Sequence, residues 1–152
     1  MAANTAPIYT LLGDIQNPGV LIRTAATVPN DGSGTIGTDV YKLFTADATN
    51  GGFVQRARFK YVTESGTTTS NACVIRVYIS SSTSGAVTNA TVWLYDEIVV
   101  PATGAISTTA ALPVFEIPLG FALPPGYTIL AKVSVSQAAS CGFMGTVIGG
   151  KY

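Results

Sequence analysis

Hydrophobic and polar residues alternate along most of this chain with a period of two. The clearest run is FVQRARFKYV, Phe53 to Val62, in which Phe53, Ala57, Phe59 and Tyr61 share one parity and Arg56, Arg58 and Lys60 share the other. Successive strand side chains point to opposite faces, so this pattern predicts a strand that buries its aromatics and shows a basic row. ACVIRVYIS repeats the pattern, with Cys73, Ile75, Val77 and Ile79 inward and Arg76 and Tyr78 outward. In TVWLYDEIVV the alternation conflicts with itself. Val92, Leu94, Ile98 and Val100 share one parity, interrupted by Asp96, while Trp93, Tyr95 and Glu97 share the other. Both faces cannot be simple solvent faces, because Trp93 and Tyr95 would then expose large rings. Trp93 and Tyr95 are therefore assigned to a protein-facing patch, with an inward position as the alternative.

The stretch LPPGYTILAKVSVS, Leu123 to Ser136, predicts a corner that aims a strand. The proline rings restrict the backbone, and Gly126 takes a turn conformation that a side chain would resist. Beyond the corner, Tyr127, Ile129, Ala131, Val133 and Val135 fall on one face, and Thr128, Leu130, Lys132 and Ser134 on the other. GVLIRTAATV, DVYKLFTA and SCGFMGTVIGGKY are further strand candidates, and PNDGSGTIG, DATNGG, TESGTTTSN and SSTSGAVTNA are turn-rich connections. Pro113 and Pro118 place the Leu112 to Gly120 segment near a sheet edge or in irregular structure, since proline lacks a ladder donor. The total is about eight strands with no competing helical period. The expected fold is all-β: one β-sandwich over residues 20–152, jelly-roll-like or in a related Greek-key order, preferred over a barrel. Residues 1–19 read as an N-terminal arm. Pro7, Gly13, Pro18 and Gly19 interrupt regular structure there, while Ile8, Tyr9, Leu11 and Leu12 call for an apolar surface, either on the chain's own domain or on a neighbour.

Composition narrows the function classes. The chain has 152 residues, enough for one domain, with 8 Lys plus Arg against 8 Asp plus Glu. That balance removes the usual electrostatic case for direct nucleic-acid contact or for binding an anionic membrane. Histidine is absent, which removes histidine acid–base chemistry and histidine metal ligation. Cys73 and Cys141 lie in apolar alternating segments without redox or metal spacing; two buried free thiols are expected, with one disulfide as the alternative. The N-terminus does not resemble a secretory signal, and no segment holds the roughly 20 apolar residues of a membrane-spanning helix.

Candidate chemistry is sparse. Asp96 and Glu97 are adjacent, so on a strand they point to opposite faces and do not flank one substrate; Glu97 is expected to pair with the Arg56, Arg58 and Lys60 row or with Arg76. No serine lies in a GxSxG elbow, and DGSGTIG lacks the lysine and strand-to-helix setting of a phosphate loop. The expected catalytic, cofactor-binding and metal-ligating residues are none, and the chain is read as a non-enzyme. Tyr78, Trp93 and Tyr95 suit a carbohydrate platform as an alternative, but tyrosine and tryptophan also serve protein interfaces, and low charge favours protein contact.

The succession FVQRARFKYV, CVIRVYIS, VWLYDEIVVPA, FALPPGYTILAKVSVS and GTVIGGKY resembles the head decoration, or cement, proteins of tailed bacteriophages. Arg58, Arg76, Tyr95, Asp96, Glu97, Pro125, Gly126, Tyr127, Gly149, Gly150, Lys151 and Tyr152 carry the likeness, which spans Phe53 to Tyr152 and extends more loosely back to Gly19. The resemblance implies a jelly-roll domain without catalytic activity, a homotrimer that binds the major capsid protein on the outer surface of the virion after assembly in the host cytoplasm. A tail or fibre component is the alternative within the same resemblance. The interface residues expected on these grounds are Ile8, Tyr9, Leu11, Leu12, Tyr78, Trp93 and Tyr95.

Overall fold

The computed structural model describes residues 13–14, 20–25, 31–63, 69–105, 109–138 and 141–152. Every regular element among them is a β-strand. In chain order these are β1 (Gly13–Asp14), β2 (Val20–Ile22), β3 (Gly34–Thr35), β4 (Tyr41–Thr45), β5 (Gly52–Thr63), β6 (Cys73–Ser80), β7 (Ala86–Val87), β8 (Val92–Val100), β9 (Val114–Leu123), β10 (Thr128–Val133) and β11 (Cys141–Lys151). They build three sheets of antiparallel strands: β1-β11-β5-β9 with β2 also on β11, β4-β10-β6-β8, and the small pair β3-β7.

The pairing is nested. β6 pairs with β8, β5 with β9, β4 with β10 and β2 with β11, so the second half of the chain returns along the first as one long hairpin. Both larger sheets contribute to a single apolar cluster. Ala57, Phe59 and Tyr61 of β5 and Phe143 and Val147 of β11 meet Cys73, Ile75 and Val77 of β6 and Ile129, Ala131 and Val133 of β10. The alternating positions of β6, and those of β5 from Ala57 onward, supply this core as their periodicity predicts, and each large aliphatic or aromatic side chain withdrawn from water contributes about 1.5–3 kcal/mol.

Two features depart from simple alternation. In β5 the partners on β11 step from Ile148↔Arg56 to Gly149↔Val54, leaving Gln55 as an extra residue. One inserted residue reverses the facing of everything beyond it. Phe53, expected inward, is consequently exposed, and Val54 takes the buried place. In β8 the partners on β6 step from Tyr78↔Leu94 to Val77↔Asp96, so Tyr95 is the extra residue. That bulge resolves the conflict in the sequence pattern. Trp93, opposite Ile79, and Ile98, opposite Ile75, face the core side of the sheet although their parities differ.

A further departure concerns the outer face of the four-stranded sheet. The turn-rich segments around Gly34 and Ala86 pair as β3 and β7, Gly34↔Val87 and Thr35↔Ala86, and with residues 31–40 they cover that face. Tyr78 lies beneath them, fully buried with Val40, Val87, Val92 and Leu130. Its outward direction from the main core is as expected, but its exposure is not, because a remote segment lies over it. Gly32, at φ +85°, passes so close that a Cβ there would stand 2.7 Å from the Tyr78 ring, which only glycine permits. Lys132 is buried under the same cover, its Nζ donating to the Ser33 carbonyl at 3.3 Å.

The proline corner forms as a turn. The Tyr127 amide donates to the Pro124 carbonyl at 3.2 Å, and Gly126 has φ +74°, the arrangement of a type II turn with proline at its second position and glycine at its third. Among the described residues β9, with Pro118, pairs only with β5 and is an edge strand, as its prolines predict. Cys73 and Cys141 are both buried free thiols. Of the expected arm, Gly13 and Asp14 form β1 and pair with β11 in the register Gly13↔Gly150 and Asp14↔Gly149. Ile8, Tyr9, Leu11 and Leu12 lie outside the described residues.

Candidate docking surface

β8 is the last strand of its sheet, so among the described residues one side of its backbone has no ladder partner. It is also the most exposed long strand, because its ends are buried at Val92 and Val100 and the residues between are open. Trp93 is 47% exposed, Leu94 49%, Tyr95 39% and Val99 74%. Single exposed apolar residues are ordinary, but here Trp93 on the core side of β8, Leu94 on its outer side and Tyr95 at the bulge between Leu94 and Asp96 are exposed in succession, a concentration of the kind found at interaction surfaces.

The two rings are held in place from the neighbouring edge. Trp93 stacks nearly parallel on Tyr127, with ring centroids 6.2 Å apart and an interplanar angle of 8°. Tyr95 packs against Phe121 of β9 at 5.0 Å, and its hydroxyl lies 3.2 Å from the Leu119 carbonyl and 3.4 Å from that of Pro118. Tyr95 thus links the edges of the two larger sheets. Tyr127 and Phe121 are themselves packed against the core, so the platform under Trp93 and Tyr95 is backed by buried side chains. Held rotamers lose little entropy when a partner arrives, which favours such residues as contact anchors.

Charged groups flank this seam. Arg76 Nε and Glu97 Oε2 are 2.9 Å apart on the outer face of β6 and β8, the cross-strand pairing that the sequence offered among its choices. Asp96 Oδ1 accepts from the Glu97 amide at 2.8 Å, a local bond that fits the bulge. Arg56 and Arg58 instead meet Glu116 of β9, at 3.7 and 3.8 Å. Elsewhere, burial pushes the Tyr78 hydroxyl up to about 12 and the Cys73 thiol up to about 11, while burial lowers Lys132. Hydrogen bonds from Ser33 hold Asp31 below the usual carboxylate range. These shifts belong to packing and turn formation. Among the described residues no three His, Cys, Asp or Glu side chains gather to hold a metal.

Of the expected interface residues, Trp93 and Tyr95 therefore lie together on the β8 edge, and Tyr78 lies apart from them beneath the β3-β7 cover. Leu94 and Val99 belong to the same exposed edge but were not singled out by the sequence. Leu94 shares the parity of Ile98 and Val100, which lie opposite the inward Ile75 and Cys73, and only recognition of the bulge separates it from them. The acidic Asp96 in the middle of an otherwise apolar strand is the one local sign of it. The chain matches no protein-family model, and neither the curated proteins nor the solved structures contain a match.

Proposed function

We propose that this chain is a structural protein without catalytic activity that docks onto other protein subunits through its β8 edge, as a capsid-decorating protein does on the outside of a phage head. The observation that carries the reading is the exposure of Trp93, Leu94, Tyr95 and Val99 along an edge strand whose two rings are fixed from behind. The fold reading is that the two larger sheets close over their common core as a jelly-roll β-sandwich. The nested antiparallel pairing supports it, because rolling up one long hairpin interleaves the strands between two sheets in this way. Jelly rolls serve both capsid and lectin domains, so the fold alone does not choose between them. The edge does bear on the choice. A sugar site calls for a concave groove with convergent polar groups. The clefts formed by Gln55, Arg56, Glu116 and Pro118 and by Leu21, Arg23, Thr24, Gly37, Thr38 and Tyr41 include neither Trp93 nor Tyr95. A projecting aromatic edge suits protein contact better.

A decorating protein strengthens a shell by binding the closed form more tightly than the disrupted one, and the difference in binding free energy is the protection. The test compares DNA release on heating from undecorated phage heads, heads carrying the wild-type chain, and heads offered the Trp93→Ala/Tyr95→Ala variant. Wild type raises the release temperature and the variant loses occupancy. Saturating occupancy with no change in release overturns the reinforcing role, and full occupancy by the folded variant overturns the role of the β8 edge.

A further inference from the structure

Charge is balanced over the whole chain, 8 basic against 8 acidic residues, yet it is sorted across the seam between β8 and β9. On the β8 side stands Asp96, exposed at the bulge, beside a Glu97 already engaged by Arg76. On the β9 side Arg56, Arg58 and Lys60 stand in a row along β5, and Glu116 meets the two arginines. That one carboxylate oxygen serves two guanidinium groups at 3.7 and 3.8 Å, beyond hydrogen-bond length, and Arg56 Nε is buried without a hydrogen-bond partner. Two half-exposed guanidinium groups thus share one carboxylate where Gln55, Arg56, Glu116 and Pro118 line a cleft of about 290 Å³. Tyr95 joins the two sides. It precedes Asp96 in the chain, and its hydroxyl reaches the carbonyl of Pro118, which lies opposite Arg56 in the β5/β9 register.

Acid, aromatic seam and base thus follow in order across the β8–β9 edge, with Asp96 next to Tyr95 in the chain and Arg56 opposite the Pro118 whose carbonyl Tyr95 reaches. We propose that this surface is self-complementary and takes a second copy of the chain. Asp96 of one copy enters the cleft of Gln55, Arg56, Glu116 and Pro118 on another, with Trp93 and Leu94 covered between them. The inference rests on the reading of the β8 edge as a docking surface and names its partner. Charge order selects a second copy, since an acid-to-base sequence on one patch is satisfied by the same patch when a symmetry axis passes through the seam. Direct pairing of two β8 backbones is disfavoured, because the bulge interrupts the ladder and an antiparallel match centred on Asp96 sets like charges opposite each other.

Charge reversal provides the test. Arg56→Glu and Asp96→Lys are made singly, together in one chain, and as an equimolar mixture of the two single variants, and mass is followed by light scattering over a dilution series. Wild type associates, and added salt weakens it because exposed ion pairs are screened. Each single variant raises the dissociation constant by about tenfold or more. The double variant and the mixture both recover association, because each restores opposite charges across the contact. Trp93→Ala is the parallel control. Association that Trp93→Ala abolishes but that neither charge reversal nor salt affects overturns the Asp96-to-cleft contact while leaving the β8 edge as a docking surface. Association indifferent to Trp93→Ala removes the edge itself. A wild-type chain that stays monomeric at every concentration overturns the self-contact, and the edge's role then stands or falls by the phage-head comparison. Circular dichroism of each variant verifies folding, and the wild-type salt series tests the contact without any substitution.

Discussion

Removing the Tyr78 ring should cost far more stability than its place on the solvent side of β6 implies. Tyr78 has 0% exposure and packs with Val40, Val87, Val92 and Leu130, while the Gly32 backbone closes over its ring. Tyr78→Ala leaves a void between β6 and the β3-β7 cover, and loss of a buried aromatic ring costs about 3–5 kcal/mol. Against a total of about 5–15 kcal/mol for an ordinary domain, that is a large share. At about 2–4 °C per kcal/mol for a chain of this size, the melting temperature should fall by about 6–20 °C. Tyr78→Phe keeps the ring and should recover most of the loss. Trp93→Ala provides the contrast, because Trp93 is half-exposed and its stack on Tyr127 is worth about 0.5–1.5 kcal/mol beyond the area it buries. The assay is urea unfolding followed by circular dichroism, with the slope compared between variants so that a change in midpoint reports stability. A Tyr78→Ala loss below about 1 kcal/mol, the size expected at the surface, would refute the burial of this ring.

Further outcomes follow from the same packing. Cys73 and Cys141 should both resist a thiol reagent in the native protein and both react once it is unfolded, since each is buried and free and burial raises Cys73 to about 11; rapid native labelling would contradict this. Tyr78 is raised to about 12 from an ordinary 10.0, so its neutral form favours the fold; the stability it contributes is fully present below about pH 10 and is lost as pH rises towards 12. Spectrophotometric titration of wild type and Tyr78→Phe should show that difference. Gly126→Ala should lower stability by about 1–2 kcal/mol, because φ is +74° while the space around a Cβ is open, leaving backbone strain as the cost; thermal melts measure it.

The parts of the fold visible in the sequence are those governed by nearest neighbours. Alternation identified the inward face of β6, Pro118 marked β9 as an edge, and Pro125 with Gly126 marked the turn before β10, a strand buried on both faces. What escaped depends on residues far apart in the chain. Phe53 and Leu94 face as they do because of single inserted residues, Gln55 and Tyr95, whose presence shows only in the register with neighbouring strands. Tyr78 and Lys132 are buried by a segment about 40–100 residues away, formed from stretches whose glycine and serine content reads as open turn. The exposed β8 edge was legible in part. Trp93 and Tyr95 were visible as rings that no simple alternation could place, while Leu94 and Val99 became part of the edge only once the bulge and the strand order were known.

Covering of the β8 edge on assembly is reported directly by Trp93, the chain's single tryptophan. Quenching of its fluorescence by a neutral water-soluble quencher should be followed in the dilute chain, in the concentrated chain and in the chain bound to phage heads. Trp93 should be quenched readily in the dilute form, as 47% exposure requires, and strongly protected in the assembled forms. Equal quenching of Trp93 in the free and assembled protein would contradict covering of the β8 edge.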